Sequence, residues 1–128
     1  MRLLVSFALA ATVSLPAALH AQKEPQGKET TIDFAAGGII NFQPEGRDSN
    51  IVYLQDRRLR WYKVTLTGPC LPDATQNTIV YRPSPGNRLD RFSSISSTRY
   101  PQLNCGITSI TTSAPPPGQP GSAKRHRR

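Results

Sequence analysis

The sequence predicts an all-β domain, a small antiparallel barrel or sandwich of about six or seven short strands tied by one disulfide. Three observations predict it. Helical periodicity is poor: outside the N-terminal leader, no window of about 12 residues places apolar residues at i, i+3, i+4 and i+7. β-branched, aromatic and threonine-rich runs recur about every ten residues, with turn residues between them. The chain's 2 cysteines, Cys70 and Cys105, follow a leader of the secretory kind, so they are expected as a bridge in an oxidising compartment.

The leader reads Met1-Arg2, then an apolar run from Leu3 to Leu15 broken by Ser6, Thr12 and Ser14, then Pro16 to Ala21. A charged start, a short apolar core and a small residue before the cut predict a signal peptide over residues 1–21, cleaved after Ala21. The run is short of the roughly 20 apolar residues that span a bilayer, and no later segment is apolar enough to cross one. Residues 22–30 are polar, with Pro25 and Gly27, and are expected to form a disordered arm. Residues 31–112 are expected to fold. Residues 113–128 carry Pro115-Pro116-Pro117-Gly118 and then Lys124-Arg125-His126-Arg127-Arg128, a composition that predicts a disordered basic tail.

Within the foldable part the predicted strands are Thr31–Phe34, Ile39–Phe42, Ile51–Gln55, Arg60–Thr67, Thr78–Arg82, Arg91–Ser96 and Gly106–Thr111. Turn residues separate most of them, notably Ala36-Gly37-Gly38, Asp56-Arg57-Arg58, Gly68-Pro69 and Pro83 to Asn87. Leu71–Asn77 is expected to hold one helical turn. The best-defined element is the hairpin joining Ile51–Gln55 to Arg60–Thr67. Alternation puts Tyr62, Val64 and Leu66 on the core face and Trp61, Lys63 and Thr65 on the other. Trp61 is then either exposed or covered by a neighbouring element.

A domain this small is marginal on its core alone. A Cys70–Cys105 bridge closes a loop of roughly 36 residues, for which chain entropy gives about 4 kcal/mol. That is a large part of the 5–15 kcal/mol typical of folded domains. The net charge is +8. Arg2 leaves with the leader, and Lys124, Arg125, Arg127 and Arg128 belong to the tail, so the domain itself is only mildly basic.

The chemistry available is narrow. His20 leaves with the leader and His126 lies in the basic tail. No Ser-His-Asp triad, Cys-His pair or multi-histidine zinc site follows from such a set. No catalytic residue, metal site or cofactor is expected. Paired carboxylates remain for a glycosidase-like hydrolase, with Asp56, Asp73 and Asp90 as candidates. Each sits beside a turn residue or an arginine, which points to turn capping or ion pairing instead. The one suggestive cluster is Arg57, Arg58 and Arg60 with Trp61 and Tyr62, since arginines beside aromatics bind phosphate and carboxylate groups.

Four blocks, in order, resemble a known family: Asp56-Arg57-Arg58-Leu59-Arg60-Trp61-Tyr62, Leu66-Thr67-Gly68-Pro69-Cys70, Leu89-Asp90-Arg91-Phe92-Ser93, and Cys105. They resemble the small exported bacterial proteins catalogued as domain of unknown function 6491, over roughly Ile39 to Ile110. Leu59 departs from that pattern, in which Gly often stands at the position. The resemblance implies export, a β-rich domain with paired cysteines, and no assigned activity.

The expected protein is therefore exported, periplasmic or secreted, and non-enzymatic. It is expected to bind an anionic lipid or polysaccharide of the envelope through Arg57, Arg58, Arg60, Trp61 and Tyr62 together with the basic tail. Nucleic acid is an unlikely partner outside the cytoplasm. The alternatives are the carboxylate-dependent hydrolase and a structural accessory subunit of an envelope complex.

Overall fold

The computed structural model describes residues 26–72 and 78–122. The segment 1–21 expected as a signal peptide, Asp73, the turn expected over Leu71–Asn77 for all but its first two residues, and the cluster Lys124–Arg128 lie outside them. Eight strands form among the described residues: β1 Ile32–Asp33, β2 Ile39–Pro44, β3 Ile51–Asp56, β4 Trp61–Leu66, β5 Ile79–Arg82, β6 Arg88–Leu89, β7 Ser94–Ser97 and β8 Cys105–Ser113. All pairings are antiparallel. Six strands make one curled sheet in the order β2-β3-β4-β8-β7-β5, and β1 with β6 makes a two-stranded ribbon. The sheet is open, with β2 and β5 at its edges.

The hairpin alternation holds. Tyr62, Val64 and Leu66 are buried, with Val52 and Leu54 beside them on β3. Leu54 stands opposite Tyr62, and Val52 opposite Val64, which in turn faces Ile110. Ile32 and Leu89, paired across the ribbon, bring its inner face into the same core, so the ribbon caps the curl.

Strand β8 contains an irregularity that plain alternation misses. Ile107 and Ile110 are both buried although three residues apart. Strict period two would put them on opposite faces. A register shift between Thr65 and Leu66, opposite Ser109 and Ile107, inserts Thr108 as an extra residue, and its hydroxyl donates to Thr65 O at 3.1 Å.

The structure departs from the sequence expectation in four places. Thr31–Phe34 is a two-residue strand and then a 3-10 turn, Phe34–Ala36, because the Asp33 carboxylate accepts Ala35 N at 2.8 Å and Gly37 ends the turn at φ 113°. The strand expected from Arg91 begins only at Ser94, since Asp90–Ser93 is a side-chain-locked turn, and Arg88–Leu89 forms a short strand ahead of it. The arm is paired from Gly27 on. Strand β7 covers β8 only at Cys105 and Gly106, and the arm takes the edge left open: Gly27 N to Thr112 O at 2.7 Å, Thr112 N to Lys28 O at 2.9 Å, and Thr30 N to Ile110 O at 3.0 Å.

The fourth departure is at the other end. Residues 113–122 pack on the sheet instead of trailing from it. Gln43 Nε2 donates to Pro117 O at 3.0 Å and Gln43 Oε1 accepts from Gln119 Nε2 at 2.8 Å. Pro116 is fully buried, and Trp61 is 5% exposed on the same face as Gln43. This segment is therefore the cover that the buried Trp61 requires. Truncation after Ser113 is expected to lower stability by about 2 kcal/mol, the burial lost at Trp61 and Pro116 less the entropy regained by the freed segment. Thermal melting of the truncated chain checks this; an unchanged midpoint would place the cover elsewhere.

Candidate functional site: a cleft at the hairpin tip

The hairpin tip is organised by one carboxylate. Asp56 ends β3 and is 7% exposed. Its Oδ1 accepts Arg58 N at 2.9 Å and Arg60 N at 3.0 Å. Its Oδ2 accepts Arg60 Nε at 2.9 Å and the Tyr62 hydroxyl at 2.8 Å, and lies 2.9 Å from Arg60 Nη2. Burial pushes the carboxyl pKa up. The Arg60 amide, the Tyr62 hydroxyl and the Arg60 guanidinium outweigh it and hold the carboxyl below its ordinary value. The turn that wraps this hub forces Leu59 into the left-handed region at φ 65°, where a branched side chain is strained and Gly is not. That is the position at which the resembling family often carries Gly.

The hub sets Arg60 in the wall of a cleft of about 360 Å³. Leu59, Arg60, Trp61 and Tyr62 form one wall, Gln26, Lys28 and Thr30 of the arm a second, and Thr112 to Pro115 a third. The Arg60 side chain is 39% exposed and lies 5.9 Å from the Tyr62 ring centroid, within cation–π range. Trp61 and Tyr62 are nearly buried, so they offer the cleft little open stacking surface. A fixed guanidinium and an exposed Lys28 ammonium beside these aromatic side chains suit an anionic group carried on a partly apolar body.

Of the five candidate binding residues, the structure brings Arg60, Trp61 and Tyr62 together in this cleft. It does not bring Arg57 or Arg58 there. The Arg57 side chain lies over Gly37, where an added Cβ would fall 2.7 Å from Arg57 Cδ. Arg58 is exposed at the tip, its amide tied to Asp56. The arm and post-β8 residues that complete the cleft lie in segments assigned to disorder from composition. The signal that could have found the arm is the run Thr30-Thr31-Ile32, β-branched and contiguous with the first strand.

Of the candidate carboxylates, Asp56 and Asp90 have structural partners; Asp73 lies outside the described residues. Asp90 Oδ2 accepts the Ser84 hydroxyl at 2.6 Å, and Oδ1 accepts Phe92 N at 2.8 Å. Ser93 Oγ accepts both Asp90 N at 3.0 Å and Ser84 N at 3.1 Å. The Ser84 hydroxyl above all, with Phe92 N and Ser93, holds the Asp90 carboxyl below its ordinary value against the opposing effect of burial. Asp56 lines neither of the two clefts found, and Asp90 lines a different one from the Arg60 cleft. A carboxyl that is to donate a proton near neutral pH needs a raised pKa; Asp56 and Asp90 are both lowered. Among the described residues no group of three His, Cys, Asp or Glu side chains is placed to hold a metal ion.

Cys70 and Cys105 are joined as a disulfide with Cα atoms 6.0 Å apart, which fits an oxidising compartment. No helix among the described residues is long and apolar enough to cross a membrane. Comparison with family models, with curated proteins and with solved structures finds no match to this chain.

Proposed function

We propose that the protein is an exported, non-enzymatic β-domain that binds an anionic component of the cell envelope, and that it belongs to the family its sequence blocks resemble. The observation that carries the binding reading is Arg60: Asp56 holds its guanidinium in the wall of a cleft that it shares with Trp61 and Tyr62 and that Lys28 faces from the arm. The recognised chemistry is a phosphate or carboxylate group, for which a pre-positioned guanidinium loses little entropy on binding. The family reading rests on the order of the four sequence blocks, Asp56–Tyr62, Leu66–Cys70, Leu89–Ser93 and Cys105.

The test is retention on envelope fractions and on immobilised acidic polysaccharide. Lys28→Ala removes an exposed cation without touching the hub. Arg60→Gln keeps a hydrogen-bond donor towards Asp56 and removes the charge. The double variant is expected to lose about tenfold in retention, to lose the salt dependence with it, and to keep its melting temperature within a few degrees. A folded double variant that is retained as the wild type is would remove the cleft from the account.

A further inference from the structure

We propose that two copies of this chain associate edge to edge through β5, each pairing Ile79–Arg82 antiparallel with its counterpart about a two-fold axis at Val80. This goes beyond the cleft reading and does not rest on it.

The two edges of the curled sheet are not alike. At β2, Glu45 N donates to Ile51 O at 3.0 Å, which fixes the alternation of that pair. Gln43 and Asn41 bond to β3, while Phe42 and Pro44 turn their backbone outward. Pro44 has no amide to offer. The Phe42 amide is taken by Asn41 Oδ1 at 2.9 Å. An edge blunted in this way is a poor template for another strand, and β2 does not pair with β5 to close a barrel.

At β5 the edge is bare. Thr98 N donates to Thr78 O at 3.0 Å, so Thr78, Val80 and Arg82 bond towards β7, while Ile79 and Tyr81 turn their backbone outward. The other side of β7 agrees. Ile107 N donates to Ser93 O at 3.2 Å, so Ser93 and Ile95 serve β8, and Ser94 and Ser96 serve Arg82 and Val80. Among the described residues, no hydrogen bond reaches the amide or carbonyl of Ile79 or Tyr81. Such a row favours pairing with an added strand.

The pattern selects a second copy as that strand. The outward groups stand evenly on either side of Val80. A two-fold axis there sets Ile79 against Tyr81 of the second copy, and Tyr81 against its Ile79, so every outward amide meets a carbonyl. Moving the axis to Tyr81 sets Ile79 against Pro83, which has no amide. With the axis at Val80, the two valines form the close, non-hydrogen-bonded pair, Cα atoms about 4.5 Å apart. Val80 is half-buried, on the face opposite Ile79 and Tyr81, and two β-branched side chains pack well across such a pair. Arg82 falls opposite Thr78, which leaves the two Arg82 residues roughly 13 Å apart along the strands, beyond the screening length. A foreign strand is recognised instead by pockets for its alternate side chains. Here Ile79 is buried, Tyr81 packs on Phe34 with ring centroids 5.9 Å apart, and neither cleft described above is lined by β5.

The experiment is sedimentation of the full exported chain from about 1 µM to about 1 mM, because so short an edge makes a contact of the small, transient class. A reversible dimer is expected. Val80→Lys places like charges opposite each other and is expected to weaken the dimer about tenfold while keeping the melting temperature within a few degrees. Val80→Cys is expected to give a disulfide-linked dimer that retains the Cys70–Cys105 bridge, and Arg82→Cys is not, because only the pair on the axis meets the geometry. Should Val80→Lys fail to fold, the two cysteine variants decide. A wild type that stays monomeric over the whole range would overturn the proposal. So would a dimer that folded Val80→Lys leaves unchanged, or equal crosslinking by Arg82→Cys, since either would place the contact elsewhere. Retention on acidic polysaccharide reads the Arg60 cleft separately, so each reading can fail without the other.

Discussion

Replacing Cys70 and Cys105 together with alanine is expected to destabilise the domain by about 4 kcal/mol, the loop-closure entropy of the segment they span. The bridge joins residues 35 apart in sequence, and β5, β6 and β7 lie between them. Those strands are weakly held otherwise. Strand β7 pairs with β8 through only Ser94–Gly106 and Ile95–Cys105, and β6 pairs with β1 alone. The β2-β3-β4-β8 part is zipped along its length, with Cys105 at the start of β8. Without the crosslink the β5–β7 lobe is expected to open first, and hydrogen exchange should rise there before it rises in β3 and β4. For a domain of this size, with a urea m-value of about 1–1.5 kcal/mol/M, the midpoint should fall by about 3 M. The same fall is expected when the wild type is melted in reductant. Superimposable oxidised and reduced transitions would show that the bridge contributes nothing to the native state.

Replacing Asp56 with alanine is expected to cost about 3 kcal/mol. The loss has two parts: the charge-assisted bonds from the Arg58 and Arg60 amides and the Arg60 guanidinium, and the buried bond from the Tyr62 hydroxyl to Oδ2. Asp56→Asn keeps the shape and part of the bonding and should cost about half as much. The sign of the pH dependence follows from the direction of the shift. The folded-state carboxyl is held below its unfolded value, so its contribution is fully present above the unfolded pKa of about 4 and is lost as pH falls through the folded one. The stability gap between wild type and Asp56→Asn should therefore be constant from pH 7 to about 5 and narrow steadily below that. Asp90, shifted the same way, will keep a residual acid slope in both proteins. Urea titrations across this range decide it. A gap that widens towards acid would mean that Asp56 is protonated in the native state and donates rather than accepts.

Both variants also bear on function. Asp56→Ala frees Arg60 from its anchor and relaxes the turn that holds Leu59 at positive φ, so binding at the cleft should weaken with it. The disulfide variant leaves the hairpin tip intact and should retain whatever binding survives its lower stability.

The hairpin shows how much of the site could be read from residues in order. The triplet Tyr62, Val64 and Leu66 alternates without interruption, and a half-buried strand has few other ways to satisfy that pattern. The bridge was readable because two cysteines in a chain with an export-type leader have few alternatives. The cleft was not readable. Arg57 to Tyr62 form one continuous run in sequence, yet their side chains go to different places. Arg57 leaves towards Gly37, Arg58 stays in solvent, and Tyr62 turns inward to Asp56. Which way each points depends on a turn whose shape is set by a carboxylate accepting amides beyond it, and such bonds leave no mark in composition.

Sequence thus determined the strand-rich class and the alternating core of β3 and β4, because each depends on neighbours one to a few positions away, and the crosslink and the basic balance, because each follows from a count of residues and needs no geometry. Tertiary structure alone decided where the chain ends go. A polar arm with Pro and Gly looks unfoldable by itself, but β8 has bare amides and carbonyls that β7 does not reach, and pairing them offsets the entropy of ordering the arm. Likewise Pro115–Pro117 carries no fold signal, but an uncovered Trp61 on the second face makes burying it favourable. Those two docked ends supply two of the three walls of the cleft.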